Sequence, residues 1–289
     1  MATSFSEAPT ITIDGARVDA FGCTEAGKVR TENQDHYLIA TLRRTLEIEA
    51  TSIPIQAGQA FGRGARALLL LVADGVGGGA GGEEASNQTL DTIVRYVAGS
   101  TRFLDRLQSQ DLDDFRTDLT FAVQWSHAAL RDRSTDSDPE LAGMASTLTL
   151  ALVMWPRAFI CQVGDSRCYH LRSPALTQVT TDQTMARHLV EQGVLPAEAA
   201  DRSPMSHILS QAIGHQEPDV WPVISELELE TGDTLLLCSD GLMKHVPDAQ
   251  IAQLLDTTAS AREAAAALVG AALDAGGTDN VTVLAARFV

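Results

Sequence analysis

Five aspartates bracket apolar, strand-like runs in this chain. LLLLVAD (68–74), FICQVGD (159–165) and LLLCSD (235–240) each finish on one, HYLIATL (36–42) follows Asp35, and VTVLAARF (281–288) begins two residues after Asp279. In an antiparallel sheet the end of one strand lies beside the start of its neighbour. Asp35, Asp74, Asp165, Asp240 and Asp279 are therefore expected to meet on one edge of the core. Carboxylates gathered there repel one another and cannot all stay ionised, so either several are protonated or cations sit among them. Asp also favours turns after strands; the repetition of one context three times is what argues for a site. All the candidate ligands are oxygens, with no histidine or thiolate among them, which suits a hard divalent ion such as Mg²⁺ or Mn²⁺ and not Zn²⁺.

The run ending in Asp74 continues into GVGGGAGGEE (75–84), a strand–glycine–helix pattern that also suits a phosphate-cradling loop. The details speak against a nucleotide. Gly81-Gly82 is followed by Glu83-Glu84 where a Walker loop needs Lys-Ser/Thr, and the Gly77-x-Gly79-x-x-Gly82 match stands alone. Asp74 and the two glutamates would repel a pyrophosphate, and the segment that follows is helical to about Ala98, so no second strand supplies a ribose-binding acid. The glycines are better read as bending the backbone close to a metal, with the Gly75 carbonyl as a ligand.

The elements that must carry these residues follow from periodicity. Strands are expected at 18–26, 35–42, 68–74, 146–155, 158–165, 167–172, 233–240 and 281–288. Leu90, Ile93, Val94 and Val97, then Phe115, Leu119, Val123 and Leu130, mark two helices. Two more run from Pro247-Asp248 to about Asp256 and from Ala261 to Ala272, the latter stopped by Gly276-Gly277. The segment 180–222 has little β character and reads as an insertion with short helices at TMARHLVEQG and HILSQAIG. Strands and paired helices in this order imply a single domain of sheets packed together with helices outside.

Composition sets outer bounds. The 289 residues are 45% hydrophobic and 20% charged, enough for a sizeable core, and the formal charge of −17 repels nucleic acid and anionic membrane. No run approaches the ~18 apolar residues of a membrane span. The N-terminus MATSFSEAPT lacks the basic and apolar regions of a signal peptide. Of Cys23, Cys161, Cys168 and Cys238, three lie in apolar runs and none forms a C-x-x-C pair, so reduced core residues in a cytoplasmic protein are expected. The short N-terminal tail and the end just after the last strand argue against fused sensor or membrane domains.

In order, GKVRTENQD (27–35), VADGVGG (72–78), MASTLTLAL (144–152), VGDSR (163–167), TDQT (181–184), ILSQAIG (208–214), LLLCSDGL (235–242) and GGTDNVTVL (276–284) resemble the motifs of the metal-dependent serine/threonine phosphatases of the protein phosphatase 2C family, bacterial type. The resemblance implies an α+β fold, a central antiparallel β-sandwich flanked by pairs of helices, with 1–289 as one catalytic domain and a flap at about 180–222. It implies two Mn²⁺ or Mg²⁺ ions per chain with a weaker third. Asp74 matches the bridging carboxylate and the Gly75 carbonyl a ligand of one ion; Asp240 and Asp279 match ligands of the other, and Asp165 a ligand of the third. Asp35 matches an acid among the metal-bound waters, and Arg30 the arginine that holds the substrate phosphate. Gln34, Val76 and Lys244 depart from the pattern: many members have Glu, some have a histidine proposed as general acid, and some have a further acid at these places.

The activity implied is hydrolysis of phosphoserine and phosphothreonine in proteins by a metal-bridging hydroxide. Two cations would generate the nucleophile and, with Arg30, absorb phosphoryl charge. No nucleophilic triad is visible, since Ser166 lacks a G-x-S-x-G context and His36 opens a strand. The competing readings are a catalytically weak phosphoprotein-binding regulator and a phosphatase dedicated to one anti-sigma-pathway partner. The expected partners are phosphorylated proteins, substrates of a serine/threonine kinase, acted on by a monomer.

Overall fold

The computed structural model describes residues 10–43, 45–47, 60–62, 67–77, 80–100, 112–134 and 143–289. The first nine residues, and Gly78 and Gly79 of the glycine loop, lie outside that set.

One sheet contains β1 (Thr10–Ile13), β2 (Ala16–Glu25), β10 (Arg167–Arg172), β11 (Ala175–Gln178), β13 (Thr234–Cys238) and β14 (Val281–Phe288), in the order β1-β2-β14-β13-β10-β11. The other contains β3 (Asp35–Leu42), β6 (Ala67–Val76), β8 (Leu148–Met154), β9 (Arg157–Val163) and β12 (Val223–Glu228), in the order β12-β9-β8-β6-β3, and the short β7 (Ala145–Ser146) pairs with the end of β6. A separate antiparallel pair joins β4 (Thr45–Glu47) and β5 (Ala60–Gly62). The helices are α1 (Ala80–Gly99), α2 (Leu112–Ser134), α3 (Met185–Glu191), α4 (Asp240–Met243), α5 (Asp248–Thr257) and α6 (Ala261–Asp274).

The layering follows from a period of two. On β6, Leu68, Leu70 and Val72 face the opposite sheet, where they meet Leu235 and Leu237 of β13 and Leu284 and Ala286 of β14. Leu69, Leu71 and Ala73 face the other way, onto Leu90, Ile93 and Val97 of α1 and Phe115, Leu119 and Val123 of α2. Both faces are buried, which is why the run reads as continuously apolar rather than alternating. On the opposite side, α5 and α6 cover Tyr169, Leu236, Val283 and Ala285 with Ile251, Leu255, Ala265 and Leu268. The result is helices, sheet, sheet, helices: an α+β sandwich, as expected.

Three expectations need correction. HILSQAIG (207–214) is not an α-helix: a 3-10 turn, Pro204–His207, takes in only its first residue, and beyond it Leu209 bridges Thr184 and Ile213 bridges Ser146. Those long-range pairings outweigh the local helical pattern. Asp74 does not end its strand either, because β6 runs on to Val76 by pairing Gly75 with Ser146 and Val76 with Ala145. Asp240, expected at a strand end, instead opens α4. Five strands absent from the expectation are β1, β11 and β12, which lie at sheet edges, and β4 and β5, which form the separate pair. All four cysteines are free thiols and three are buried, as anticipated. No helix among the described residues is long and apolar enough to cross a membrane.

Candidate metal centre

The inner face of the sandwich changes character at one end. Carrying the inward parity of Leu70-Val72, Ala151, Leu237 and Leu284 onward leads to Asp74, Thr149, Ser239 and Thr282. Asp35 stands directly opposite Asp74 in the β3–β6 register. This polar layer is tied together by hydrogen bonds. Ser239 Oγ donates to Asp35 Oδ2 at 2.6 Å, the Thr282 amide donates to Ser239 Oγ at 3.0 Å, and the Asp74 amide donates to Thr147 Oγ1 at 3.0 Å. Thr147 Oγ1 in turn lies 2.8 Å from Ser166 Oγ. Asp35 Oδ1 is buried without a hydrogen-bond partner among the described residues.

Above this layer opens a cavity of about 520 Å³ whose wall includes Arg30, Asp74, Gly75, Asp165, Asp240 and Asp279. Asp35 sits behind that wall and does not line it. The glycine after Asp74 is there for room: a Cβ at Gly75 would collide with the Gly82 carbonyl at the start of α1. Gly241 is pinned in the same way against the Asn280 carbonyl, which fixes α4 beside the loop that carries Asp279. Asn280 then anchors the Arg30 loop, accepting from the Gln34 amide at 3.0 Å and donating to the carbonyls of Ala26 at 3.0 Å and Glu32 at 2.8 Å.

The electrostatics confirm that the acids feel one another. The Asp74 carboxyl is held well above the usual carboxylate range, first by burial and then by the charges of Asp35, Asp240, Asp165 and Asp279. Burial pushes Asp35 up to about 6, against the hydrogen bond from Ser239. Burial, then Asp240 and Asp182, push Asp165 up to about 7, with Lys244 pulling the other way. Asp279 shows the opposite direction: burial would raise it, but Lys244 and Arg30 together hold it below its ordinary value.

Two cations from the chain itself stand here. Arg30 Nε lies 2.9 Å from Asp279 Oδ1, and its Nη2 donates to Oδ2 at 3.2 Å. Lys244 Nζ lies 2.5 Å from Asp240 Oδ2 and 2.8 Å from Asp279 Oδ2. Burial works against the Lys244 charge, yet the Asp240 and Asp279 carboxylates outweigh it and hold its pKa above the ordinary range. With those side chains in place, no group of three or more His, Cys, Asp or Glu among the described residues is gathered closely enough to hold an ion. The donor set still fits a hard divalent cation. Its donors are all oxygens, and the raised Asp74 and the orphaned Asp35 oxygen mark a surplus of buried negative charge that a cation would relieve.

Every site residue expected from the sequence thus lies in or directly behind one cavity. Sequence reasoning missed the supports Ser239, Thr282 and Asn280, and the flap residues His207 and His215 that also line the cavity. Strand parity would have found Ser239 and Thr282, and the four-residue spacing from Asp240 would have placed Lys244 beside it.

Comparison with known proteins places this geometry in context. The sequence model of the family described as Protein phosphatase 2C matches residues 54–274. The serine/threonine protein phosphatase PstP of Mycobacterium tuberculosis is 37% identical over 226 residues, 78% of this chain and 41% of the relative. The chain therefore spans about two fifths of that relative's length. The serine/threonine phosphatase stp of Listeria monocytogenes is 32% identical over 219 residues, 75% of this chain and 82% of the relative. Among solved structures, the catalytic domain of the serine/threonine protein phosphatase PstP in complex with two manganese ions superposes with a TM-score of 0.70 at 31% identity, covering 94% of this chain and 98% of that one.

Proposed function

The chain belongs to the protein phosphatase 2C family, and on that premise we propose that it hydrolyses phosphoserine and phosphothreonine esters in proteins with two hard divalent cations in its acidic cavity. One observation carries the reading: Asp74, Asp165, Asp240 and Asp279 line a single cavity with Arg30, and burial plus mutual repulsion drive the Asp74 carboxyl away from its ordinary behaviour. Asp74 and the Gly75 carbonyl would hold one ion, and Asp74, Asp240 and Asp279 the other. Asp165 with Asp240 would hold a weaker third. Mn²⁺ and Mg²⁺ both suit this donor set. When bound, such ions lower the pKa of water between them and neutralise phosphoryl charge.

The remaining work falls to the chain. Arg30 is more than half exposed at the cavity mouth, and its guanidinium has N–H groups beyond the two that face Asp279, so it would bind phosphate oxygens. Asp35 and its Ser239 hydrogen bond would orient the hydration shell behind the wall. The flap between β11 and β12 brings His207 and Ile208 to the rim, where a peptide flanking the phosphorylated residue would pass. We take residues 1–289 as one catalytic unit acting as a cytoplasmic monomer on the substrates of a serine/threonine kinase; the free, largely buried cysteines support a reducing compartment.

The test is phosphate release from a phosphothreonine peptide and its phosphotyrosine counterpart in Mn²⁺ buffer. Hydrolysis of the first, lost by orders of magnitude in Asp74→Asn, is expected. Equal rates for Asp74→Asn and the parent protein would overturn the assignment.

A further inference from the structure

Lys244 sits where the proposed second cation would sit. Its ammonium bridges Asp240 and Asp279, the two carboxylates assigned to that ion, at 2.5 and 2.8 Å. The placement is built rather than incidental. Lys244 follows Asp240 by four residues at the end of α4, with its amide donating to the Asp240 carbonyl at 3.0 Å. Gly241 leaves room for α4 to pack closely on the Asn280 carbonyl, where a side chain would clash, and this close packing delivers the lysine stem into the gap between the two acids. Arg30 occupies the outer side of Asp279. Asp74 is bonded to neither cation by any contact of this kind and keeps its raised pKa.

We propose that Lys244 is an internal competitor for the second metal position, filling the Asp240–Asp279 pair in the metal-free chain and lowering the affinity for the ion that pair would hold. This rests on the reading of those carboxylates as ligands. An ion can enter only the fraction of molecules in which the lysine has swung away, so its apparent dissociation constant is the intrinsic one divided by that fraction. A lysine suits this role, being a flexible, strongly hydrated point charge that can leave for solvent. The ion held by Asp74 and the Gly75 carbonyl escapes the competition, so the two binding steps should separate in affinity.

The experiment is calorimetric Mn²⁺ titration of chelator-stripped protein, in the parent, Lys244→Met and Lys244→Gln, with thermal unfolding in chelator alongside. The parent should show two steps for the binuclear pair, a tighter and a weaker one, ahead of the still weaker third ion. In both variants the weaker step should tighten at least tenfold while the tighter one stays put. The variants should also melt lower than the parent in chelator, where Asp240 loses its lysine partner and Asp279 keeps only Arg30, and gain more from added Mn²⁺. Unchanged weak-step affinity in both variants would overturn the competition and leave the metal reading standing. Absence of Mn²⁺ binding in all three proteins would remove both.

Discussion

Asp35 and Asp74 face each other across the β3–β6 ladder, two acids in opposed register on the inner side of a sandwich. Burial is the largest cause of the upward shift in each, to about 6 for Asp35 and well above the usual range for Asp74. A carboxyl raised in the folded state binds more protons there than in the unfolded chain between the two pKa values. The metal-free protein should therefore lose stability as pH rises from about 4, the unfolded value, through the folded ones. For a group shifted by about two units the effect is on the order of 2–3 kcal/mol. Urea midpoints of chelated protein should be higher at pH 5.5 than at pH 8, and Asp35→Asn should flatten the slope. His36 and His127, both lowered by burial, act in the opposite sense up to the ordinary histidine range, so the decisive comparison is between proteins: a slope unchanged in Asp35→Asn would contradict the assignment. The depressed Asp279 acts in the opposite sense, but only below the ordinary carboxylate range, outside the window tested.

Arg30 is held at the cavity mouth by Asp279 and by the Asn280 anchor of its loop. Arg30→Ala should mainly raise KM for a small phosphate ester, by roughly tenfold or more, with a smaller fall in kcat, as expected of ground-state binding. Arg30→Lys should recover only part of the loss, because a point charge cannot reproduce a forked contact. Steady-state kinetics with p-nitrophenyl phosphate decides it; unchanged constants in the alanine variant would make Arg30 a surface partner of Asp279 and nothing more.

Val76 is exposed on the cavity wall and has no proton to give a leaving alkoxide. Asp165 faces the same cavity, where with Asp240 it would hold the weaker third ion, and water on such an ion has a lowered pKa and could supply that proton. Asp165→Ala should leave two Mn²⁺ ions bound while lowering kcat. The loss should be larger for a phosphothreonine peptide than for p-nitrophenyl phosphate, whose phenolate leaves with little protonation. Equal losses on both substrates would separate Asp165 from the leaving group, and no loss on either would return it to a turn residue.

Of the strands that matched the sequence reading residue for residue, β10 and β14 lie inside their sheet, and β3, an edge strand, is marked by the apolar run Tyr37–Ala40. The missed ones are edges. Ser225, Glu226 and Glu228 of β12 suit an edge: one side of that strand pairs with β9 and the other pairs with no strand among the described residues. No apolar run marks such a segment. The carboxylate cluster was legible because five aspartates recur in strand-end contexts. What was not legible was depth: Asp35 lies behind the wall and Asp74 in mid-strand, because β7 extends β6 through a pairing 70 residues distant in sequence. Lys244 could be recognised as a departure from the family pattern, but its place between Asp240 and Asp279 depends on how closely α4 packs on the Asp279 loop.

The most direct measurement is hydrolysis of a phosphothreonine peptide by chelator-stripped protein as Mn²⁺ is added back, with Asp240→Asn and Asp279→Asn alongside. The account predicts no turnover in chelator, recovery with Mn²⁺ and weaker recovery with Mg²⁺. It predicts losses of orders of magnitude in both variants while their folds persist. Full activity in the metal-free protein would contradict it.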